Sequence, residues 1–456
     1  MLMNRRHAVS TIFAGAGSAF AQKTNRPNLV FVLIDDLRWN GLSCMGHPFV
    51  KTPNIDRIGR EGAIFRNAFV TTPLCSPSRG SFLTGQYVRT HGVRGNGDSA
   101  AASHKMITFP RLLRDAGYET AYVGKWHMGN DDSPRPGFDR WVSFRGQGVF
   151  EDPPLNIDGE RITRNGYMTD LLSDHAVDFV KKGRSKPFCL YLAHKAIHGP
   201  FTPAPRHANM YADQPIQRTP NAKDTLEGKP MLRREIPELP QKKKKGAGQA
   251  QSGPGDELIR NQMRCMLSID EGVGRILDVL EQQKALDNTM IVFTSDNGYF
   301  WGEHGLGDKR AAYEESIRIP MLARYPKLIK AGRQIDGMAL NIDIAPTMLD
   351  AAGLKPHAQM QGRSLMPLLE GKSRNWRKSI LCEYFMEQQF ARVASWEAVR
   401  TERYKYIRYL DLKEMDELYD LQADPGEMKN LINDAGSRAT LENLKKELAG
   451  YPRIAG

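Results

Sequence analysis

Short unbroken apolar runs alternate with stretches of helical spacing along most of the chain. Residues 27–34 form a continuous apolar run rich in β-branched side chains, which predicts a central strand buried on both faces. Residues 119–123, 187–193 and 289–294 predict further strands of the same kind. Between them lie helical patterns over residues 52–62, 107–117 and 164–182. The longest covers residues 257–286, where Ile259, Met263, Met266, Val273, Ile276, Leu277 and Leu280 share one face. Residues 321–325 and a helix over 344–352 close the alternation. Strands alternating with helices predict an α/β fold built on a large, mostly parallel sheet.

Beyond about residue 375 the texture changes. Residues 379–385, 396–400 and 404–410 predict short antiparallel strands, followed by Glu417-Leu418-Tyr419-Asp420-Leu421 and a last helix over 439–448. The expected organisation is a catalytic domain over 22–375 and a small C-terminal α+β domain over 376–456. Residues 130–159, rich in Asp, Pro and Gly, predict an irregular segment shaping a pocket rim. Residues 203–254 carry many prolines and then the run Lys242-Lys243-Lys244-Lys245, which predicts a solvated insertion with a mobile tip.

The N-terminus has the layout of an export signal. Arg5 and Arg6 precede small apolar residues 8–20, and Ala19-Phe20-Ala21 offers a cleavage site, so residues 1–21 are expected to be removed. The mature protein is then periplasmic or extracellular. No apolar run is long enough to predict a membrane span. The formal net charge of +12 favours polyanionic partners. For an exported chain without a nucleic-acid-binding motif, sulfated glycans fit better than nucleic acid. The five cysteines are widely spaced, with no C-x-x-C, which argues against a zinc site. Cys189 and Cys265 read as buried thiols, and the odd count leaves Cys75 over.

The predicted strand ends carry the chemistry. Asp35 and Asp36 follow the first strand, Lys125 and His127 the second, His198 the third, and Asp296 and Asn297 the fourth. A parallel sheet gathers such ends at one edge, where α/β proteins bind ligands. Three carboxylates and an amide are hard oxygen donors, which select Ca²⁺ or Mg²⁺. Arg79, Lys125 and Lys309 add fixed positive charge, and His127 and His198 can move protons. Taken singly, each histidine reads as structural, Lys309 as a surface lysine and Asn297-Gly298 as a turn. Their joint occurrence at strand ends points to a shared site.

In Cys75-Ser76-Pro77-Ser78-Arg79, followed by Leu83-Thr84-Gly85, a thiol stands at a predicted helix N-terminus beside a guanidinium, an arrangement that favours a reactive anion. An inert buried cysteine is the plain alternative. The pattern resembles the signature of the type I sulfatases, a formylglycine-dependent family of the alkaline phosphatase superfamily. Asp35-Asp36, Gly124-Lys125-Trp126-His127, His198, Ser295-Asp296-Asn297-Gly298 and Lys309 appear in that family's order. The stretch from Glu417 through Asp424-Pro425 and Glu427 to Asn430-Leu431 resembles its C-terminal signature.

The resemblance implies an alkaline-phosphatase-like α/β sandwich and sulfate ester hydrolysis. It implies that a maturation enzyme converts Cys75 to formylglycine, whose hydrate attacks sulfur. Asp35, Asp36, Asp296 and Asn297 would hold Ca²⁺ together with residue 75, while Arg79 and Lys125 would support the hydrate. His127 would assist breakdown of the hemiacetal sulfate. Lys125, His198 and Lys309 would contact the sulfate, with His198 or Lys309 protonating the leaving alcohol, and His304 is a candidate glycan contact. Pro134 to Trp141, Gly146-Gln147-Gly148 and His194 to Pro200 look similar to bacterial arylsulfatases and N-acetylglucosamine-6-sulfatases, so a sulfated carbohydrate is the expected substrate. Two alternatives stand beside this reading: a phosphodiester or phosphonate ester hydrolase of the same superfamily, and a non-catalytic binder of sulfated glycans.

Overall fold

The computed structural model describes residues 26–97, 99–236, 253–372 and 374–451. The expected signal peptide and the run Lys242–Lys245 lie outside the described residues. Seventeen strands occur among those described. They are β1 (Asn28–Ile34), β2 (Ala63–Phe69), β3 (Glu119–Gly124), β4 (Arg140–Ser143), β5 (Pro154–Ile157), β6 (Glu160–Thr163), β7 (Phe188–Ala193) and β8 (Thr289–Ser295). There follow β9 (Phe300–Trp301), β10 (Gly307–Asp308), β11 (Arg318–Arg324), β12 (Arg333–Ile335) and β13 (Ala339–Leu340). The last four are β14 (Ser379–Tyr384), β15 (Trp396–Thr401), β16 (Tyr404–Tyr409) and β17 (Glu417–Asp420).

The large sheet runs β12-β2-β11-β8-β1-β7-β3-β4-β5-β6. Its centre is parallel: β1 pairs with β7 and β8, and β3 with β7 and β4. The β11 strand runs antiparallel to both β8 and β2. Apolar periodicity carries no information on strand direction, so that reversal is visible only in three dimensions.

The unbroken apolar character of β1 has a direct cause. Val30, Val32 and Ile34 face one layer, with Ile55, Ile58, Leu172 and Met263. Leu29, Phe31 and Leu33 face the other, with Phe82, Leu83, Leu113 and Met348. Helices Pro53–Arg60, Met168–Lys181 and Asp256–Gln282 cover the first face. Helices Cys75–Thr84, Phe109–Asp115 and Ile344–Ala351 cover the second. A strand covered on both sides cannot alternate polar with apolar residues.

Residues 130–159 depart from the irregular expectation, because they contain β4 and β5. Tyr122 and Val123 pair with Trp141 and Val142, which carries the sheet outward. The surrounding Pro and Gly residues mask this short pairing in the sequence.

Residues 203–236, expected as solvated, are instead pinned to the four-stranded sheet β14-β15-β16-β17. Lys229 Nζ donates to Tyr419 Oη at 2.7 Å and to the Glu427 carbonyl at 2.5 Å. It also lies over the rings of Tyr313 and Tyr419. Met231 and Leu232 are buried in the same apolar cluster as Tyr406 and Leu418. A few buried anchors outweigh the polar average of the segment. Among the described residues, no helix is long and apolar enough to cross a membrane.

Candidate active site

Backbone pairing continues past the strand ends and aligns the polar residues there. Asp296 N–H donates to the Ile34 carbonyl (2.9 Å), His194 N–H to Leu33 (2.9 Å), and Lys125 N–H to Ala193 (2.8 Å). Asp35 N–H is satisfied by the Ala196 carbonyl at 3.2 Å. Gly124 has φ +123°, and a Cβ there would fall 1.8 Å from the Ala193 carbonyl oxygen, so only glycine brings Lys125 round this corner.

Asp35, Asp36 and Asp296 offer oxygens within 4.8 Å of one another, and all three are buried. Arg79 lies one helical turn after Cys75, so both side chains leave the helix on the same face. Its Nε donates to Asp296 Oδ2 at 2.9 Å, its Nη2 lies 3.4 Å from Asp35 Oδ2, and its Nη1 donates to the Lys125 carbonyl at 2.6 Å. Lys125 Nζ contacts Asp35 Oδ2, and Lys309 Nζ contacts Asp36 Oδ1. Burial alone would raise the Asp35 carboxyl, but Lys125, His198, Arg79 and Lys309 hold it well below the usual range. Burial and the adjacent Asp35 push Asp296 up.

Cys75 opens helix Cys75–Thr84 and is fully buried. Its Sγ lies 3.2 Å from Lys309 Nζ and 3.5 Å from Asp35 Oδ1. Burial and then the Asp35 carboxylate push the thiol up to about 12, so it is protonated at neutral pH. This reverses the expectation of a reactive thiolate: the helix terminus and Arg79 are present, but desolvation and a facing carboxylate outweigh them.

His127 and His198 complete the surround. Ser76 Oγ donates to the His127 carbonyl and lies 3.4 Å from His127 Nδ1. Burial, then Lys125, keep His127 well below the usual imidazole range. His198 Nδ1 donates to the Gly199 carbonyl at 3.1 Å, leaving Nε2 facing Asp36 Oδ2 at 3.8 Å. Its side chain is 20% exposed, against 2% for Lys309, so His198 marks the open side of the cluster.

Asn297 decides whether a cation fits. Its Nδ2 donates to Asp36 Oδ1 at 2.7 Å, while its Oδ1 is buried without a hydrogen-bond partner. An orphaned buried acceptor costs roughly 1–3 kcal/mol, which coordination beside three carboxylates would offset. The donor set is all oxygen, and it fits a hard divalent cation.

His304 lies elsewhere. It is fully buried, its Nδ1 is 2.6 Å from Asp224 Oδ2, and its Nε2 is 3.4 Å from Asn221 Nδ2. The expected glycan contact is therefore corrected: the imidazole is enclosed by the 203–236 segment and cannot reach a saccharide. Ser76, Asn96, Arg310 and Glu387, which the sequence does not mark as site residues, also stand around Cys75 and Lys309. Arg310 was visible as the neighbour of Lys309. Asn96 and Glu387 carry no motif signal.

Comparison with known proteins follows this geometry. A family model described as Sulfatase matches residues 27–354, and one described as N-sulphoglucosamine sulphohydrolase, C-terminal, matches residues 302–453. An N-acetylglucosamine-6-O-sulfatase of Bacteroides thetaiotaomicron is 34% identical over 91% of this chain and 84% of its own length. The human N-acetylglucosamine-6-sulfatase is 33% identical over 80% of this chain and 68% of its own. A solved structure in complex with its substrate, D-glucosamine-2-N,6-O-disulfate, superposes with a TM-score of 0.83 at 34% identity, covering 93% of this chain and 97% of that one.

Proposed function

The chain belongs to the sulfatase family, and from that footing we propose that it removes the 6-O-sulfate of a glucosamine-type sugar. Sulfate ester hydrolysis is the activity of the family. The sugar and the position rest on the substrates named for the similar proteins. One observation carries the reading: Cys75 lies among Lys309, Asp35 and His198 at the sheet edge, in a cluster that combines cations with hard oxygen donors.

Formylglycine, which a maturation enzyme would make from Cys75, would supply the nucleophilic oxygen as its hydrate. Asp35, Asp36, Asp296 and Asn297 would hold Ca²⁺, which would supply positive charge to offset the charge of the sulfate. The remaining work falls to side chains. Arg79 fixes Asp296 and Asp35 through its guanidinium. Lys125 and Lys309 hold the anionic ester with charges set in place before it arrives. Burial would lower Lys309, but Asp36, with Asp308 and Asp35, holds its pKa well above the ordinary value, so it stays cationic and is a poor proton donor. His198, on the open side, is the better-placed acid: burial and then Lys125 lower its pKa to about 4, the arriving sulfate anion favours its protonated form, and as the C–O–S linkage breaks at the O–S bond that proton passes to the departing alcohol oxygen. His127 is the neutral base on the helix side. Overall, water and the ester yield the free alcohol and sulfate.

The reading includes export, which rests on the pattern of residues 1–21. The test is sulfate release by the converted protein from 6-sulfated N-acetylglucosamine, measured beside 2- and 4-sulfated sugars, an aryl sulfate and a matched phosphonate ester. Turnover of another sugar sulfate with none of the 6-sulfate overturns the assigned position. Preferential turnover of the phosphonate ester overturns the assigned ester class.

A further inference from the structure

We propose that Glu387 is a positioning residue, a carboxylate of the C-terminal segment that fixes both loops flanking Cys75. The inference rests on the sulfatase reading above. Glu387 lies three residues beyond the end of β14, and its N–H donates to Tyr384 Oη at 3.4 Å. One carboxylate oxygen accepts from the Asn96 N–H at 3.0 Å, and the other accepts from Arg310 Nε at 3.0 Å. Its side chain is 8% exposed.

Each tie leads to the reacting centre by one more step. Asn96 Oδ1 accepts from the Ser76 N–H at 3.0 Å. That N–H is one of the donors a helix start leaves unsatisfied, and the N-cap residue Leu74 has no side-chain acceptor for it. Asn96 therefore caps the helix from outside, and Glu387 holds Asn96. On the other side, Arg310 follows Lys309, whose Nζ is 3.2 Å from Cys75 Sγ. Asp308 and Arg310 flank Lys309 at φ +68° and +89°, left-handed conformations that need external anchoring. Asp308 is held by pairing with Phe300 and Arg310 N–H by Ser316 Oγ at 3.1 Å, and the Arg310 side chain and carbonyl are anchored from the C-terminal segment. Glu387 takes Nε, the Phe390 ring lies 3.4 Å from Cζ, and Trp396 Nε1 donates to the Arg310 carbonyl at 2.8 Å. Glu387 thus links the helix that carries Cys75 to the strap that carries Lys309, with one oxygen on each side. It touches neither the ester nor the metal ligands, so it acts through Ser76 and Lys309.

The test uses the full chain co-expressed with a formylglycine-generating enzyme, with conversion of residue 75 measured by peptide mass in every variant. Activity is followed with N-acetylglucosamine 6-sulfate and 4-nitrophenyl sulfate. Glu387→Ala is expected to lower kcat per converted molecule with both esters by roughly 10- to 100-fold, as expected for misplaced catalytic groups, while KM and Tm change little. Glu387→Gln, whose amide oxygen can still accept from Asn96, recovers part of that loss. Asn96→Ala combined with Glu387→Ala costs less than the two effects added, since both cut one route. Wild-type kcat in Glu387→Ala overturns the proposal. So does a loss that only follows a drop in Tm, or full additivity in the double variant. Converted wild-type protein inert toward both esters overturns the sulfatase reading itself, and this inference falls with it.

Discussion

Lys309 Nζ stands 3.2 Å from Cys75 Sγ, although 234 residues separate the two in sequence. The same ammonium contacts Asp36 Oδ1. Three elements of different origin, the end of β1, the start of helix Cys75–Thr84 and the strap after β10, therefore close on one point. That closure decides how Cys75 behaves in the folded protein.

The unconverted thiol is expected to be inert in the folded protein. Burial and Asp35 push it up to about 12, so the thiolate fraction at pH 8 is negligible. Iodoacetamide at pH 8 should leave native Cys75 unlabelled and label it in denaturant; rapid native labelling would contradict this. Cys75→Ala should abolish sulfate release while the circular dichroism spectrum stays native.

Metal content should depend on Asp296. Asp296→Ala removes one donor of the set and leaves Arg79 facing a smaller acid cluster. The expected result is a loss of bound calcium by elemental analysis and a fall in kcat/KM of two or more orders of magnitude, on the order of that seen when preorganised charge is removed. In the wild type, added Ca²⁺ should raise Tm by mass action, and chelator should lower it. Unchanged calcium stoichiometry in the variant would take Asp296 off the ligand set.

His198→Ala should discriminate between leaving groups. An alkyl sulfate expels a strongly basic alkoxide that needs a proton, whereas a nitrophenyl sulfate does not. The variant should therefore slow the sugar ester far more than the aryl ester. Equal slowing of both would move the acid role to another group.

A buried carboxyl outside the Cys75 cluster should make stability fall between about pH 4.5 and 8. Burial, then Glu303 and Glu427, raise Glu315 to about 8, and Asn221 Nδ2 donates to its Oε1 at 2.9 Å. The folded state thus keeps a proton that the unfolded chain releases near 4.5. Native protein binds more protons between those values, so stability falls as pH rises through the window, by at most about 1.4 kcal/mol per pH unit. Glu315→Gln, which stays neutral, should raise Tm at pH 8 and change it little at pH 5. The same gain at both values would exclude Glu315 as the titrating group.

The legible parts of this protein were those in which physics acts locally. β1 betrays itself because both faces are covered, and Asp35 and Asp36 stand out by following so apolar a run. The Cys75 stretch is readable because its residues are contiguous. What stayed hidden depends on partners remote in sequence. His304 sits beside Gly302-Glu303 and invites a functional reading, yet Asp224 binds it inside the protein. Arg79 announces a charge near residue 75, but not that it spends its donors on Asp296 and the Lys125 carbonyl. Asn96 and Glu387 are ordinary loop residues until folding places a helix start and an arginine beside them. The direction of β11 and the packing of residues 203–236 have no local signature.

The lysine threaded between Tyr313 and Tyr419 bears on how the molecule comes apart. Lys229 belongs to the middle of the chain, yet its ammonium is enclosed by the Tyr313 ring and by the Tyr419 ring and Glu427 carbonyl from the far end. Pulling the last strands away would cost that ammonium its bonds to Tyr419 and Glu427 and would expose the apolar cluster that Met231 and Leu232 share with Tyr406 and Leu418. The protein should accordingly show a single calorimetric peak on heating, and a protease should find no stage at which the four-stranded sheet melts while the larger one survives.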